Sequence, residues 1–219
     1  MTSMLKILAV VAALIAVPVA AAPLDEGVLA IETHWARANY ETEGKARQIA
    51  AFDAVVVEAD ALAVRYPASA EPLVWRAIAQ TAKAGVVRGL AGFELVKAAR
   101  VTLEAATRLD PNAANGLGLS ELGTLYYQVP GFPIAFGDRA KAERYLKRAL
   151  QVAPDSIAVN LAYADFLATS KQPFRAIDVL HFVLKIIPRS GHALADRGRK
   201  AEAEALLGQV QAKLANSRG

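Results

Sequence analysis

A short pattern of small and apolar residues recurs three times in this chain and constrains its fold more than any other feature. Each copy reads Ala-x3-Leu-x2-Ala/Val-x4-Pro, so its first three residues share one helix face and its proline ends the helix. The copies occupy residues 99–111, 142–154 and 176–188. Pro154 and Pro188 are 34 residues apart, whereas Pro111 and Pro154 are 43 apart. A period of this length is typical of stacked helix–turn–helix units.

Apolar residues at three- and four-residue steps extend this pattern into a series of predicted helices along the whole chain. We expect four helix pairs followed by a capping helix at 193–214, in one all-α domain over residues 22–219. Two stretches, near 85–92 and 129–138, hold the residues that exceed the standard unit. The capping helix is rich in Ala, Glu, Arg and Lys, which suits the polar end that a repeat array needs. The eight paired helices are predicted at 24–40, 45–66, 70–84, 93–109, 116–128, 138–152, 156–169 and 174–187.

The three copies resemble tetratricopeptide (TPR) repeats over about residues 92–188. This resemblance implies a right-handed superhelix of antiparallel helix pairs with the capping helix at its C-terminal end.

A longer run, with LGTLYYQVPGFPIAFGD, KAERYLKRAL, NLAYADFL and ADRGRKAEAEALL, is similar to exported bacterial repeat proteins grouped with the TatT component of TRAP-type transporters. That similarity implies a periplasmic accessory that partners the substrate-binding protein of a secondary transporter. Such components can be lipid-anchored, but this chain has no cysteine to carry a lipid.

The N-terminus has the features of a secretory signal peptide over residues 1–21. Lys6 is the only charge before Asp25, and an apolar run at 7–17 is followed by small residues at 19–22. We expect cleavage between Ala21 and Ala22 and a periplasmic mature protein without a stable membrane span. The alternative is a retained membrane anchor, although a span needs about 20 apolar residues.

Charge and motif content argue against several classes of function. The net charge is +4 and the chain has no dense basic block, so we expect no nucleic-acid partner. No two of the three histidines, His34, His181 and His192, are three or four residues apart, so no helical metal pair is predicted. Neither a phosphate-binding glycine motif nor a GxSxG motif is present. We expect no catalysis, no metal and no cofactor.

Aromatic residues surround the apolar segment at 129–138, VPGFPIAFGD, which carries two prolines and two glycines. Two interpretations remain open: the segment fills a gap in the core, or it forms a groove together with neighbouring helix faces. The first helices of the pairs would line a concave surface that includes Ser120 and Thr169. We predict a non-catalytic scaffold for protein–protein interaction; the alternative is a periplasmic binder of a small apolar solute under the 129–138 segment. The candidate binding residues are Tyr126, Tyr127, Phe132, Phe136, Asn160, Tyr163 and Asp165.

Overall fold

The computed structural model describes residues 23–216, so the predicted signal peptide at 1–21 lies outside the described residues. The described part is all-α, as the sequence predicts, with a short 3-10 helix at Ala113–Gly116. None of its helices combines the length and the apolarity that a membrane crossing requires. The α-helices are α1 Leu24–Tyr40, α2 Lys45–Arg65, α3 Glu71–Val87, α4 Gly89–Leu109, α5 Leu117–Gln128, α6 Arg139–Val152, α7 Ile157–Thr169, α8 Pro173–Lys185 and α9 Ala193–Asn216.

Local sequence signals account for several of the helix starts. The Asp138 side chain accepts a hydrogen bond from the backbone N–H of Lys141 at 2.9 Å and so caps α6. Ser156 caps α7 in the same way. Pro72 and Pro173 lie in the first turns of α3 and α8, where a missing N–H costs no helical hydrogen bond.

The recurring pattern forms the buried seam between paired helices. Gly123 of α5 shows how close the helices approach, because a Cβ atom there would lie 2.7 Å from Cγ of Leu146 and 3.1 Å from the Ala142 carbonyl oxygen. The pattern therefore marks the core of three helix pairs, α3–α4, α5–α6 and α7–α8. Its nine residues each have 0% of their surface exposed: Ala99, Leu103, Ala106, Ala142, Leu146, Ala149, Ala176, Leu180 and Val183.

The extra residues near 85–92 lengthen two helices instead of forming an inserted loop. α3 continues to Val87, and α4 begins at Gly89, with Arg88 at φ 60° between them. A Cβ atom at Gly92 would lie 2.8 Å from the carbonyl oxygen of Ala84. Glycine at this position lets the two helices cross closely, so both remain helical through most of 85–92.

The C-terminal helix α9 does more than cap the last pair. It packs against α8 and α7 at one end of the array and also against α1 at the other end. The odd-numbered helices α1, α3, α5 and α7 contact one another in succession and form the side that α9 crosses. The prediction of a terminal cap at 193–214 is therefore incomplete, because the helix also links the last repeat to the first.

A buried network of charges joins α1 to the start of α9. The Glu32 carboxylate, which is 3% exposed, accepts from Arg189 at 2.7 Å and Arg199 at 3.1 Å, and pairs with His192 Nδ1 at 2.7 Å. Asp196, which is 1% exposed, accepts from the Arg189 backbone N–H at 2.8 Å and from its guanidinium. Burial opposes ionisation of both carboxyls, but the two arginines outweigh it and lower the pKa of each. Both carboxylates are therefore held ionised at the α1–α9 contact.

Candidate functional site

The structure separates the predicted binding residues into three groups. Phe132 lies at the tip of the 129–138 segment, and Phe136 and Tyr126 lie beneath it. Tyr127 and Asp165 lie on the opposite, inner side of the array, at a cavity closed by α9. The other two predicted residues, Asn160 and Tyr163, are buried within the helix framework. The predicted set therefore covers two distinct surfaces instead of one groove.

The 129–138 segment is a compact loop held at both ends by backbone hydrogen bonds. The Gly137 N–H donates to the Pro130 oxygen at 2.9 Å, and the Asp138 N–H donates to the Tyr126 oxygen at 2.8 Å. A Cβ atom at Gly137 would lie 1.9 Å from the Val129 carbonyl oxygen, so only glycine fits where the two ends of the loop cross. The base of the loop is thus fixed by its own backbone.

Phe136 anchors the loop on the helices. Its ring stacks on Phe93 with centroids 6.4 Å apart and meets Tyr126 edge-on at 5.7 Å. The Arg100 guanidinium carbon lies 4.3 Å from the centre of the Phe136 ring. Tyr126 is itself fixed, because its hydroxyl donates to Glu104 at 2.9 Å and accepts from Lys141 at 2.7 Å. Phe136 is therefore half-buried and packs against the hydrophobic core.

Two other apolar side chains of the same loop point away from the core. Phe132 is 93% exposed and Ile134 is 79% exposed. Isolated exposed apolar residues are common, but two at the tip of one anchored loop form a small apolar knob. The loop thus matches neither interpretation in full, because Phe136 packs inward while Phe132 and Ile134 face outward instead of closing a groove.

A cavity of about 460 Å³ lies on the inner side, between the odd-numbered helices and α9. None of the residues 129–138 lines it, so it is separate from the space under the loop. Its wall includes Ser120, which the sequence placed on the concave surface, whereas Thr169 lines a smaller neighbouring cavity of about 320 Å³. The principal lining residues are Trp35, Tyr40, Ile78, Leu117, Ser120, Glu121, Thr124, Tyr127, Leu161, Asp165, Arg199, Glu202 and Leu206.

The charged residues of this cavity are three carboxylates and one guanidinium. Asp165 accepts a short hydrogen bond from the Tyr127 hydroxyl, and burial together with the Asp165 charge raises the pKa of Tyr127. Arg199 covers the Trp35 ring at 4.9 Å and points its guanidinium at Glu32. Glu121, on α5, and Glu202, on α9, supply the two remaining carboxylates.

Glu121 has the most perturbed carboxyl of the cavity. Burial, with a smaller contribution from the Glu202 carboxylate, raises its pKa from 4.5 to about 7, and Arg199 opposes both. Because the folded chain holds this proton more tightly than the unfolded chain, the group lowers stability as the pH rises from about 4.5 through 7. An ionised Glu121 at neutral and alkaline pH is therefore a destabilising charge.

We expect Glu121→Gln to stabilise the protein at alkaline pH. At pH 8 the free energy of unfolding should rise by about 1–3 kcal/mol, since the amide avoids the cost of ionising this half-buried carboxyl. At pH 4, where Glu121 is protonated in both states, the substitution should change it by less than about 0.5 kcal/mol. Urea titrations of both proteins at the two pH values measure this difference. An equal effect at both pH values would show that the carboxylate charge is not its cause.

Asn160 and Tyr163 have structural partners. The Asn160 amide donates to the carbonyl oxygens of Pro154 at 2.7 Å and Ser156 at 2.9 Å, which fastens the turn before α7. The Tyr163 ring stacks on Phe166, and its hydroxyl accepts from Arg175 at 3.0 Å. Neither residue lines the 460 Å³ cavity, so both act in the helix framework.

The histidines are dispersed through the described range. His34 pairs with Glu58 at 2.7 Å on the surface, and His192 belongs to the network around Glu32. Between residues 23 and 216, no group of three or more His, Cys, Asp or Glu side chains is arranged to hold a metal ion.

The sequence does not predict the cavity residues that come from the two ends of the chain. Trp35, Arg199 and Glu202 face the cavity only because α9 crosses to α1, and no local pattern reports that contact. Glu121 carried a weak signal, since it is the one charged residue in the mainly apolar helix α5.

The array is similar to the crystal structure of a thermophilic TPR protein of Thermus thermophilus, with a TM-score of 0.52. The match covers 84% of this chain and 100% of that chain at 17% sequence identity. No protein-family model matches the sequence, and no curated protein matches it significantly. At this identity the similarity concerns the fold alone, and the resemblance to TatT components gains no support from it. The chain therefore has an all-α, TPR-like fold of helix pairs.

Proposed function

We propose that this protein is a non-catalytic scaffold that binds a protein partner through the 129–138 loop. The observation that carries the proposal is the apolar knob of Phe132 and Ile134, 93% and 79% exposed, on a loop whose base is fixed by Phe136. An anchored loop presents its tip with little ordering cost on binding, which favours association. Aromatic side chains are frequent anchors in protein interfaces.

The concave side of the array is a weaker candidate for protein binding. Repeat superhelices commonly bind partners along that side. Here α9 crosses it and is fastened to α1 through Glu32. The loop, by contrast, leaves its two apolar side chains open to solvent, so it is the surface that a partner reaches without moving a helix.

For location and partner we propose the periplasm and a role as an accessory of a TRAP-type transport system. The support is the signal-like N-terminal sequence and the resemblance of 122–138 and the later segments to TatT components. The partner would then be a periplasmic substrate-binding protein. Fractionation of cells that express the full chain tests the location directly, because a cytoplasmic product of uncleaved mass would contradict it.

The loop proposal predicts that Phe132→Ser abolishes partner capture while the fold is retained. A pull-down from periplasmic extract with quantitative mass spectrometry should show a partner that wild type captures and Phe132→Ser loses by about tenfold or more, since a central aromatic anchor contributes about 2 kcal/mol or more. Because Phe132 is 93% exposed, its removal should leave the melting temperature unchanged.

Phe182→Ser is the matched control, because Phe182 lies on α8 and is 42% exposed. It should capture the same partner as wild type. Equal capture by Phe132→Ser and wild type would contradict the assignment of the loop as the interaction surface.

A further inference from the structure

The inner cavity carries more negative than positive charge. Glu121, Asp165 and Glu202 line it, against the single cation Arg199. Arg199 is already committed, since its guanidinium donates to Glu32 at 3.1 Å, approaches Asp196 at 3.5 Å and lies over the Trp35 ring. Little positive charge is left to balance the three carboxylates of the cavity wall.

Three polar groups of the wall have no hydrogen-bond partner within the described range: the Glu121 carboxylate, the Trp35 indole N–H and the Tyr40 hydroxyl. The Glu121 carboxylate forms neither a side-chain hydrogen bond nor an ion pair there. Trp35 is only 7% exposed, and its buried indole N–H has no hydrogen-bond acceptor. An indole N–H is only a donor and gains nothing from a cation, so the half-buried Glu121 carboxylate is the group of this wall that a cationic ligand would complete.

The rest of the wall is apolar or aromatic. Ile78, Leu117, Leu161 and Leu206 contribute aliphatic surface, and Tyr127 adds a ring. A volume of about 460 Å³ suits a small organic molecule, for which pockets are typically about 300–1,000 Å³.

From this cavity we infer a binding site for a small organic cation, whose ammonium group pairs with Glu121 and whose apolar body lies against the aliphatic and aromatic wall. Asp165 is engaged by the Tyr127 hydroxyl and Glu202 lies at the exposed rim, so Glu121 is the principal counter-ion. This site is independent of the loop, because residues 129–138 do not line it.

Three probes with one aromatic body and different charges test the inference on the full-length wild-type protein. They are phenethylamine, 2-phenylethanol and phenylacetate, titrated by calorimetry at pH 8. We expect phenethylamine to bind at least about tenfold more tightly than the alcohol, and phenylacetate to bind most weakly. Equal affinity for the amine and the alcohol, preference for phenylacetate, or no binding of the amine at millimolar concentration would each overturn the proposal.

Substitutions then locate the site. Glu121→Gln keeps the size of the side chain and should reduce the affinity for phenethylamine to that for 2-phenylethanol. Glu43→Gln is the matched control, since Glu43 is an exposed carboxylate in the turn between α1 and α2, away from the cavity. Loss of amine binding in both variants, or in neither, would show that Glu121 is not the counter-ion. Phe132→Ser should bind the amine as wild type does, so failure of this proposal and failure of the loop proposal are distinguishable.

Discussion

Glu32→Ala is expected to lower the free energy of unfolding by about 3–5 kcal/mol, because it removes a buried carboxylate that Arg199, Arg189 and His192 share and leaves the buried Arg199 with only the more distant Asp196. Arg199 is buried and donates to Glu32 at 3.1 Å, and Arg189 and His192 contact the same carboxylate at 2.7 Å each. Chemical denaturation at pH 7 measures the change. Since the pKa of Glu32 is lowered in the folded chain, its contribution is present above about pH 4.5 and is lost as the pH falls, so the difference from wild type should shrink in acid.

Glu58→Ala is a matched control for this substitution. Glu58 also contacts a histidine, His34, at 2.7 Å, but both side chains are more than 40% exposed. An exposed pair of this kind contributes about 0–1 kcal/mol, so the control should change the free energy of unfolding little. Similar losses from both substitutions would mean that the α1–α9 network is no more important to the fold than a surface ion pair.

Gly198→Leu is expected to destabilise the protein by about 3 kcal/mol through overpacking at the same contact. Gly198 lies in α9, and a Cβ atom there would lie 2.3 Å from Cε2 of Tyr40, the last residue of α1. The Tyr40 ring would have to leave its position for any side chain to fit. Thermal and urea unfolding of the variant measure the loss.

Gly208→Leu, in the same helix, should have the opposite sign. A Cβ atom at Gly208 meets no atom within 4 Å, so replacing a flexible glycine by a helix-favouring residue should stabilise by about 0.5–1 kcal/mol. If both leucine variants were stabilised, α9 would not pack on Tyr40 in solution.

The helix pairs could be predicted from sequence because their signals are local. Ala142, Leu146 and Ala149 repeat at helical spacing, and Pro154 follows at the position where the helix ends. The cap at Asp138 and the proline at the start of α8 lie within the segments that they define. Such features need no knowledge of distant contacts, and the helix boundaries that they predict agree with the structure within a few residues over most of the chain.

The inner cavity and the crossing of α9 could not be predicted, because they depend on contacts between chain ends. Glu32 and Arg189 are separated by 157 positions, and no sequence pattern near either residue predicts their contact. Gly198 indicates part of this arrangement, since a glycine inside a helix of Ala, Glu and Lys is typical of close packing. It does not indicate which residue packs there. The candidate site divided for a local reason: Tyr126 and Tyr127 are neighbours in sequence, but consecutive residues lie about 100° apart around a helix, so Tyr126 contacts Glu104 of α4 and Tyr127 contacts Asp165 of α7.

Amide hydrogen exchange of α9 in the wild-type protein tests most directly whether this helix closes the array onto α1. If α9 closes the array onto α1, amides at 198–208 should exchange only through global unfolding, with the same opening free energy as buried amides of α5. In Glu32→Ala the α9 amides should exchange through a smaller, local opening while α5 stays protected. Wild-type α9 amides that exchange far faster than those of α5 would contradict the closed array and, with it, the cavity between α1 and α9.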